Sequence, residues 1–381
     1  MSAERRLLTV GHSYVVAENR RLAHEMALQG RGRWRVTAVA PASLRGDLRQ
    51  VECEPIANEA CELRRVPVRL DRSPHFMWYA GLKQAMAGSW DVVHCWEEPY
   101  VFAGAQIARA SAPESALVVA TFQNISKTYP WPLSAFERQT MGRADGWIAF
   151  GESVERTLEK RAGYANAAAV IPPGVDVARF RPDASGAREM RSRLGWPAHA
   201  PVVGFSGRFV AQKGIRTLCD ALSRATGDWR ALFVGGGPLE QDLRRFAASR
   251  PGRVHVETGV AHSDMPQWLS AMTVLCAPSQ TTATWREQFG RMLIEAMASG
   301  VALIASDSGE IPHVVGDAGV ILPERETAQW TAAIESMLQD EKRRQELVQR
   351  GLERAARRFA WPVVARRHLE FFETVLEGRA R

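Results

Sequence analysis

Long hydrophobic runs are missing from this sequence. None approaches the roughly 18 apolar residues of a membrane-spanning helix, and the opening Met-Ser-Ala-Glu-Arg-Arg-Leu-Leu-Thr-Val-Gly-His is too short an apolar run for a signal peptide, so it reads as a first strand. Cysteine is sparse and unpatterned. Cys53, Cys61, Cys95, Cys219 and Cys276 are odd in number, scattered, and without a CxxC pair, which argues against a disulfide framework or a zinc site and for a reducing cytoplasm. The glycines make no full dinucleotide fingerprint, Gly235 to Gly237 after a strand being only a partial likeness to a phosphate loop. What is present is an ordinary globular composition, 46% apolar and 24% charged, in a chain of 381 residues, more than one core usually organises. Two domains are the default expectation.

The net charge of +7 is uneven: residues 1–50 carry nine Lys/Arg against four Asp/Glu, and residues 341–381 eleven against six, leaving the middle at about −3. Two basic ends suit an anionic membrane surface or acceptor; solvated basic helix faces explain them as readily. No nucleic-acid partner is expected.

Short apolar strands alternate with helical patterns along the chain. Strands are expected at Arg6–Val10, Trp34–Ala40, Asp91–Cys95, Leu117–Phe122, Trp147–Phe150 and Ala169–Ile171, with helical segments before Gly30 and from Val154 to Ala162. The turn cluster Pro172-Pro173-Gly174-Val175-Asp176 reads as a hinge. The alternation then restarts with strands at Val202–Ser206, Ala231–Val234, Val254–Glu257, Val274–Ala277 and Val301–Ala305, and helices at Ile215–Leu222, Leu239–Ala248, Met265–Ala271 and Gly290–Ser299. This predicts an α/β chain with two doubly wound parallel sheets, in domains 1–175 and 176–360. A last amphipathic helix, 361–381, opens with Trp361-Pro362 and should cross back to the first domain.

In such sheets ligands sit beyond the carboxyl ends of the strands. His12, Ser13, His94 and Gln123 are read as falling there in the first half, although a histidine at a strand end serves a structural hydrogen bond just as well. Lys127 to Pro132, rich in proline and aromatics, suits an acceptor-side loop, and His75 to Tyr79 packs a helix onto the core. In the second half, Arg208 and Lys213 occupy one strand-to-helix loop, where two cations could clamp a diphosphate. Glu287 precedes a turn at Phe289-Gly290, and Glu295 lies about a turn and a half into the following helix. The first amides of that helix would seat an anion, and both carboxylates could accept hydrogen bonds from sugar hydroxyls. Two glutamates eight apart also occur by chance, so the surroundings decide.

Taken together, Pro172-Pro-Gly-Val-Asp176, Gly207-Arg-x4-Lys-Gly214, Gly235 to Pro238, Glu287-x7-Glu295 with Ala296-Met-Ala-Ser-Gly300, and Ser306 to Pro312 are specific. The chain resembles the retaining glycosyltransferases of the GT-B fold, in family 4, also called group 1. The resemblance implies two Rossmann-like domains facing a central cleft, and transfer of a sugar from a UDP- or GDP-sugar to an acceptor hydroxyl, lipid-linked or polysaccharide. Arg208 and Lys213 would hold the diphosphate, Glu287 the donor sugar and Glu295 the ribose. Gly11, Gly207, Val260, Phe289, Gly290 and Arg291 would line the donor, and His12, Ser13, His94, Gln123 and Asn124 the acceptor. No cofactor or metal is implied, in keeping with the lack of an Asp-x-Asp motif. Two positions depart from the family: Gln123 where many relatives carry His, and His313 where Glu is usual. A nucleotide-sugar epimerase of the same fold, and an inactive nucleotide-sugar-binding subunit, are the rival readings.

Overall fold

Strands covered by helices on both faces read as continuous apolar runs, and those runs form the centres of two parallel sheets. The computed structural model describes residues 4–46, 50–161, 164 and 166–380; Ala162, expected to end a helix, and Arg381 lie outside them. In the first half the strands are β1 (Arg5–Val10), β2 (Trp34–Pro41), β3 (Ser43–Arg45), β4 (Gln50–Glu52), β5 (Glu62–Val66), β6 (Val68–Arg69), β7 (Trp78–Tyr79), β8 (Val92–Cys95), β9 (Ala116–Thr121), β10 (Gly146–Ala149) and β11 (Ala167–Val170). The main sheet runs β11-β10-β9-β8-β1-β2-β5, and every pairing in it is parallel. Successive side chains take opposite faces. Leu7, Val92 and Val118 join one core layer with the helices Ala17–Gln29 and Trp361–Ala380, while Leu8, Val93 and Leu117 join the other with the helix Phe102–Ala110.

The second half holds β12 (Val202–Arg208), β13 (Arg230–Gly236), β14 (Val254–Thr258), β15 (Val274–Ala277), β16 (Ala302–Ser306) and β17 (Val320–Leu322), all parallel in the order β14-β13-β12-β15-β16-β17. One of its faces packs Phe205, Phe233, Cys276 and Ile304 against Leu218 and Leu222 of the helix Ile215–Arg224 and against Trp330 and Ile334 of the helix Thr327–Gln339.

The chain divides into two compact units, one of residues 1–173 with 361–381 and the other of residues 174–360. The last helix begins at Trp361 after a π-helical stretch, Ala355–Phe359, with Pro362 at its second position. It lies on the helix Ala17–Gln29, where Trp361 Nε1 donates to Glu18 at 3.0 Å. The segment His75–Tyr79 ends in a short ribbon, β6 with β7. Gln106 of the helix Phe102–Ala110 bonds both the N–H and the carbonyl of Tyr79, each at 2.9 Å, and so fixes that ribbon.

Candidate active site

In the second unit the loops after three neighbouring strands converge on Glu287. The loop after β12 turns through the short helix Ala211–Lys213 to Gly214, whose φ of +66° suits glycine. A Cβ there would sit 1.7 Å from the Pro278 carbonyl oxygen, so only glycine lets this loop press against the one after β15. Gln280 N donates to Gln212 O at 2.7 Å and joins the two. Lys213 is thereby delivered to the Glu287 carboxylate and ion-pairs with it. Ser279 Oγ donates to the same carboxylate oxygen at 2.8 Å. The loop after β16 supplies the third hold, Glu310 N donating to Glu287 O at 3.0 Å. Glu287 is only 6% exposed, yet its charge is met by a cation and a hydroxyl, which is what burial of a carboxylate requires.

Two residues after buried Phe289, at Gly290's heels, the helix Arg291–Ala298 begins; Gly290 itself caps it with a φ of +79°. Glu295, 5% exposed, accepts from His262 Nε2 at 2.8 Å, and His262 Nδ1 meets the Arg179 guanidinium at 2.9 Å. Arginine can only donate, so Nδ1 accepts and the ring hydrogen sits on Nε2, facing Glu295. Arg208, exposed, ends β12, and Gly207 precedes it with a φ of +143°. Val260 is half-buried in the loop after β14. The glycines after β13 have a local reason: Cβ atoms at Gly235 and Gly237 would meet the backbone of Gly207 and Phe209 at 1.8 and 2.8 Å.

In the first unit a second cluster forms at the ends of β1 and β8. Gly11 lies so close to Trp96 that a Cβ would come within 3.1 Å of the Trp96 Cβ. The approach brings His12 to Glu97: His12 N donates to Oε1 at 2.7 Å and Nδ1 to Oε2 at 2.6 Å, while the Tyr79 hydroxyl also donates to Oε1. Burial opposes a charge on His12, but the Glu97 carboxylate with its hydrogen bond, helped by Glu98, outweighs this and raises the pKa above the ordinary histidine value. With 45% of the His12 side chain exposed, water solvates part of the ring and softens the burial penalty. Burial raises the Glu98 carboxyl, although it accepts from Thr121 Oγ1 at 2.5 Å and Phe122 N at 2.8 Å. Ser13 Oγ is buried and, among the described residues, makes no hydrogen bond.

His94 stands otherwise than expected. It lies inside β8, not beyond it, and is fully buried: Nδ1 meets Thr9 Oγ1 at 2.9 Å, and the ring packs 5.6 Å from that of His368 and 5.4 Å from Phe372. Its side chain faces the last helix, because the period of the strand sends it to that layer. Gln123 and Asn124 are buried after β9; the Gln123 amide donates to the Tyr129 hydroxyl at 2.5 Å and accepts from Ile125 N at 3.3 Å, so it shapes its own loop. Glu97, Glu98, Tyr79, His262 and Ser279 were not foreseen as site residues, whereas Tyr129 lies in the Lys127–Pro132 loop read as acceptor-side. The strand-end rule applied to Trp96-Glu97-Glu98 after β8 and to Ser279 after β15 would have found three of them; His262 carries no sequence signal beyond its position after β14.

Comparison with known proteins follows the same division. Residues 187–354 match the family model described as Glycosyl transferases group 1, and residues 20–179 match that of Glycosyltransferase Family 4. The chain is 32% identical over 297 residues to a phosphatidyl-myo-inositol mannosyltransferase of Mycolicibacterium smegmatis, covering 76% of this chain and 72% of that one. It is 32% identical over 254 residues to a GDP-mannose-dependent alpha-(1-6)-phosphatidylinositol monomannoside mannosyltransferase of Mycobacterium tuberculosis, covering 63% and 66%. Aligned stretches span 48% to 75% of the length of such curated relatives. Among solved structures, Anabaena HepE in complex with UDP superposes with a TM-score of 0.73 over 97% of this chain and all of that one, at 19% identity.

Proposed function

Because the chain belongs to glycosyltransferase family 4 and has the two-sheet α/β build of the GT-B class, we propose that it transfers a sugar from a nucleoside diphosphate sugar to an acceptor hydroxyl with retention of configuration. The observation that carries the reading is the Lys213–Glu287 pair, held by three loops at the turn into the helix Arg291–Ala298. Lys213, Arg208 and the first amides of that helix neutralise the diphosphate as the bond from the anomeric carbon to the phosphate oxygen breaks. The electron pair leaves with the diphosphate. The acceptor oxygen bonds to the same face of the anomeric carbon, and its proton passes to the departing phosphate oxygen, so Gln123 has no proton to move.

Glu287 accepts hydrogen bonds from the donor sugar, exchanging its Ser279 contact for them, and Glu295 with His262 receives the ribose. The reading calls for no metal, since the cations are supplied by side chains. UDP in HepE and GDP-mannose in the name of the mycobacterial relative support a UDP- or GDP-sugar donor. The phosphatidylinositol in both relatives' names favours a lipid-linked acceptor over a polysaccharide, and with it a peripheral seat at the inner face of a membrane.

Glu287→Gln keeps the shape and removes the charge that faces Lys213. With a donor found by thermal-shift screening of UDP- and GDP-sugars, kcat/KM for transfer is expected to fall by about a hundredfold, roughly 2.7 kcal/mol of transition-state stabilisation. The nucleoside diphosphate should still raise the melting temperature. Unchanged transfer by the folded variant would remove Glu287 from the mechanism.

A further inference from the structure

Among the described residues three large apolar side chains are exposed: Leu70 at 64%, Phe76 at 40% and Trp131 at 81%. Exposed apolar residues scattered singly mean little, but these three share one part of the first unit. Leu70 and Phe76 line the same hollow of about 440 Å³ with Asp71, Arg72 and Ser73. The Phe76 ring stands edge-on to Phe136 at 6.5 Å. Phe136 N donates to Pro132 O, which sets Phe136 one turn beyond Trp131-Pro132 at the start of the helix Leu133–Arg143.

Leu70 adds an independent sign. It directly follows β6, at the start of the loop to β7, with a φ of +56°, a backbone that a leucine adopts only at a cost. Its side chain gains no burial in return. A strained leucine held out in water is unfavourable for folding alone, and such outliers cluster where a contact is made.

The rim is basic. Arg72 lines the hollow with Leu70 and Phe76, and exposed Arg69, Lys127 and Arg138 lie close in sequence to Leu70 or Trp131. The two nearby acids are engaged: Asp71 accepts from Arg45 N at 3.2 Å, and Glu137 is paired with Arg161. Tryptophan at headgroup depth, with leucine and phenylalanine beside it and Arg/Lys around them, complements an anionic lipid surface. Asp71 and Arg72 also line a second hollow of about 410 Å³, one wall of which is His12.

We infer that Leu70, Phe76 and Trp131, with the exposed Arg69, Arg72, Lys127 and Arg138 of the same segments, seat this protein on an anionic phospholipid bilayer beside the His12 pocket. This rests on the peripheral-membrane part of the proposed function and names the surface that performs it. The test is co-sedimentation of the full chain with vesicles of phosphatidylcholine alone and of phosphatidylcholine mixed with phosphatidylglycerol. The wild type should pellet with the mixed vesicles only, and salt should weaken it. Trp131→Ser should lower the partition coefficient on the order of tenfold. Leu70→Gly is the sharper variant: glycine relieves the left-handed backbone, so the melting temperature should hold or rise while vesicle binding falls. Wild type that binds neither vesicle would overturn both this inference and the membrane reading. Binding that survives undiminished in the folded Trp131→Ser and Leu70→Gly proteins would overturn the patch alone. Equal binding to both vesicle types would remove the basic rim from the argument. Dimerisation abolished by Trp131→Ser, without vesicle binding, would assign the patch to a second copy of the chain instead.

Discussion

Glu287 is positioned by its main chain as much as by its carboxylate, and the residue that permits this is a glycine 22 positions further along. Gly309 has a φ of +58°, and a Cβ built on it would lie 2.1 Å from Glu287 O and 2.9 Å from Glu287 N. Both obstacles are backbone, so Gly309→Ala cannot be relieved by a side-chain rotation and must displace Glu287 itself. Gly252 is the control, with a φ of +75° and nothing within 4 Å of its Cβ. Gly252→Ala is expected to cost about 1–2 kcal/mol of stability, the strain of a left-handed alanine, and to leave transfer kinetics unchanged. Gly309→Ala should cost at least as much and also lower kcat/KM by about tenfold or more. Urea unfolding and steady-state kinetics on both variants separate the two effects; native kcat/KM in folded Gly309→Ala would show that this contact does not set Glu287.

At the scale of elements, the last helix carries a titrating group into the core of the first unit. His368 is fully buried between Val364 O, which Nδ1 meets at 2.8 Å, and the ring of His94. Burial pushes its pKa down to about 4, the Val364 carbonyl partly offsets this, and Arg367 adds to the lowering; burial and His368 lower His94 as well. An unfolded histidine titrates near 6.5, so between about pH 6.5 and 4 the unfolded chain binds a proton that the folded one does not. The stability that this neutral ring permits is therefore complete above pH 6.5 and falls as the pH drops through this window, by about 3 kcal/mol at its lower end for His368 alone. His368→Leu should lessen the fall of the urea midpoint between these pH values, His94 keeping its own share. An unaltered slope would mean the helix does not keep this ring neutral.

The same elements show what the sequence made legible. β8, β9 and β10 are buried along their whole length and stand out as apolar runs. Edge strand β5, Glu-Leu-Arg-Arg-Val, was missed because charged side chains on a sheet edge carry no apolar run, and β17 because Val-Ile-Leu is only three residues long. The helices Leu133–Arg143 and Glu341–Arg354 each bury only two residues, too thin a stripe to read. For the site, Lys213 and Glu287 could be picked out by residue type and by their places after strands, and they meet across 74 positions. His94 was placed beyond a strand end, with a structural hydrogen bond as the equal alternative; it lies inside β8, where Nδ1 meets Thr9 and the ring packs on the last helix. Glu97, two residues beyond β8, went unread. Partners such as these are fixed by sheet order, which brings the end of β1 beside that of β8, and strand order is not written in local periodicity.

For the molecule as a whole, the second unit is a continuous insertion and the first is not. The insertion's ends lie side by side: Val175 N donates to Phe359 O at 2.8 Å, and Val175 bridges to Ala360 as a parallel pair. Residues 174–360 therefore have a complete sheet and core of their own, and the fragment should fold alone with a cooperative melt. On the proposed function, a nucleoside diphosphate at a hundred times its Kd should stabilise it by about 2.7 kcal/mol. Residues 1–173 lack Trp361, Val364, Leu369, Phe371, Phe372 and Val375, all of which belong to their core. At about 1.5–3 kcal/mol for each buried side chain, an upper estimate, their loss amounts to roughly 9–18 kcal/mol, as much as the 5–15 kcal/mol that stabilises a typical domain. The fragment 1–173 should stay unfolded by circular dichroism and fold when joined through a short linker to 361–381. A cooperative melt from 1–173 alone would show that the last helix is an accessory to that unit and not part of its core.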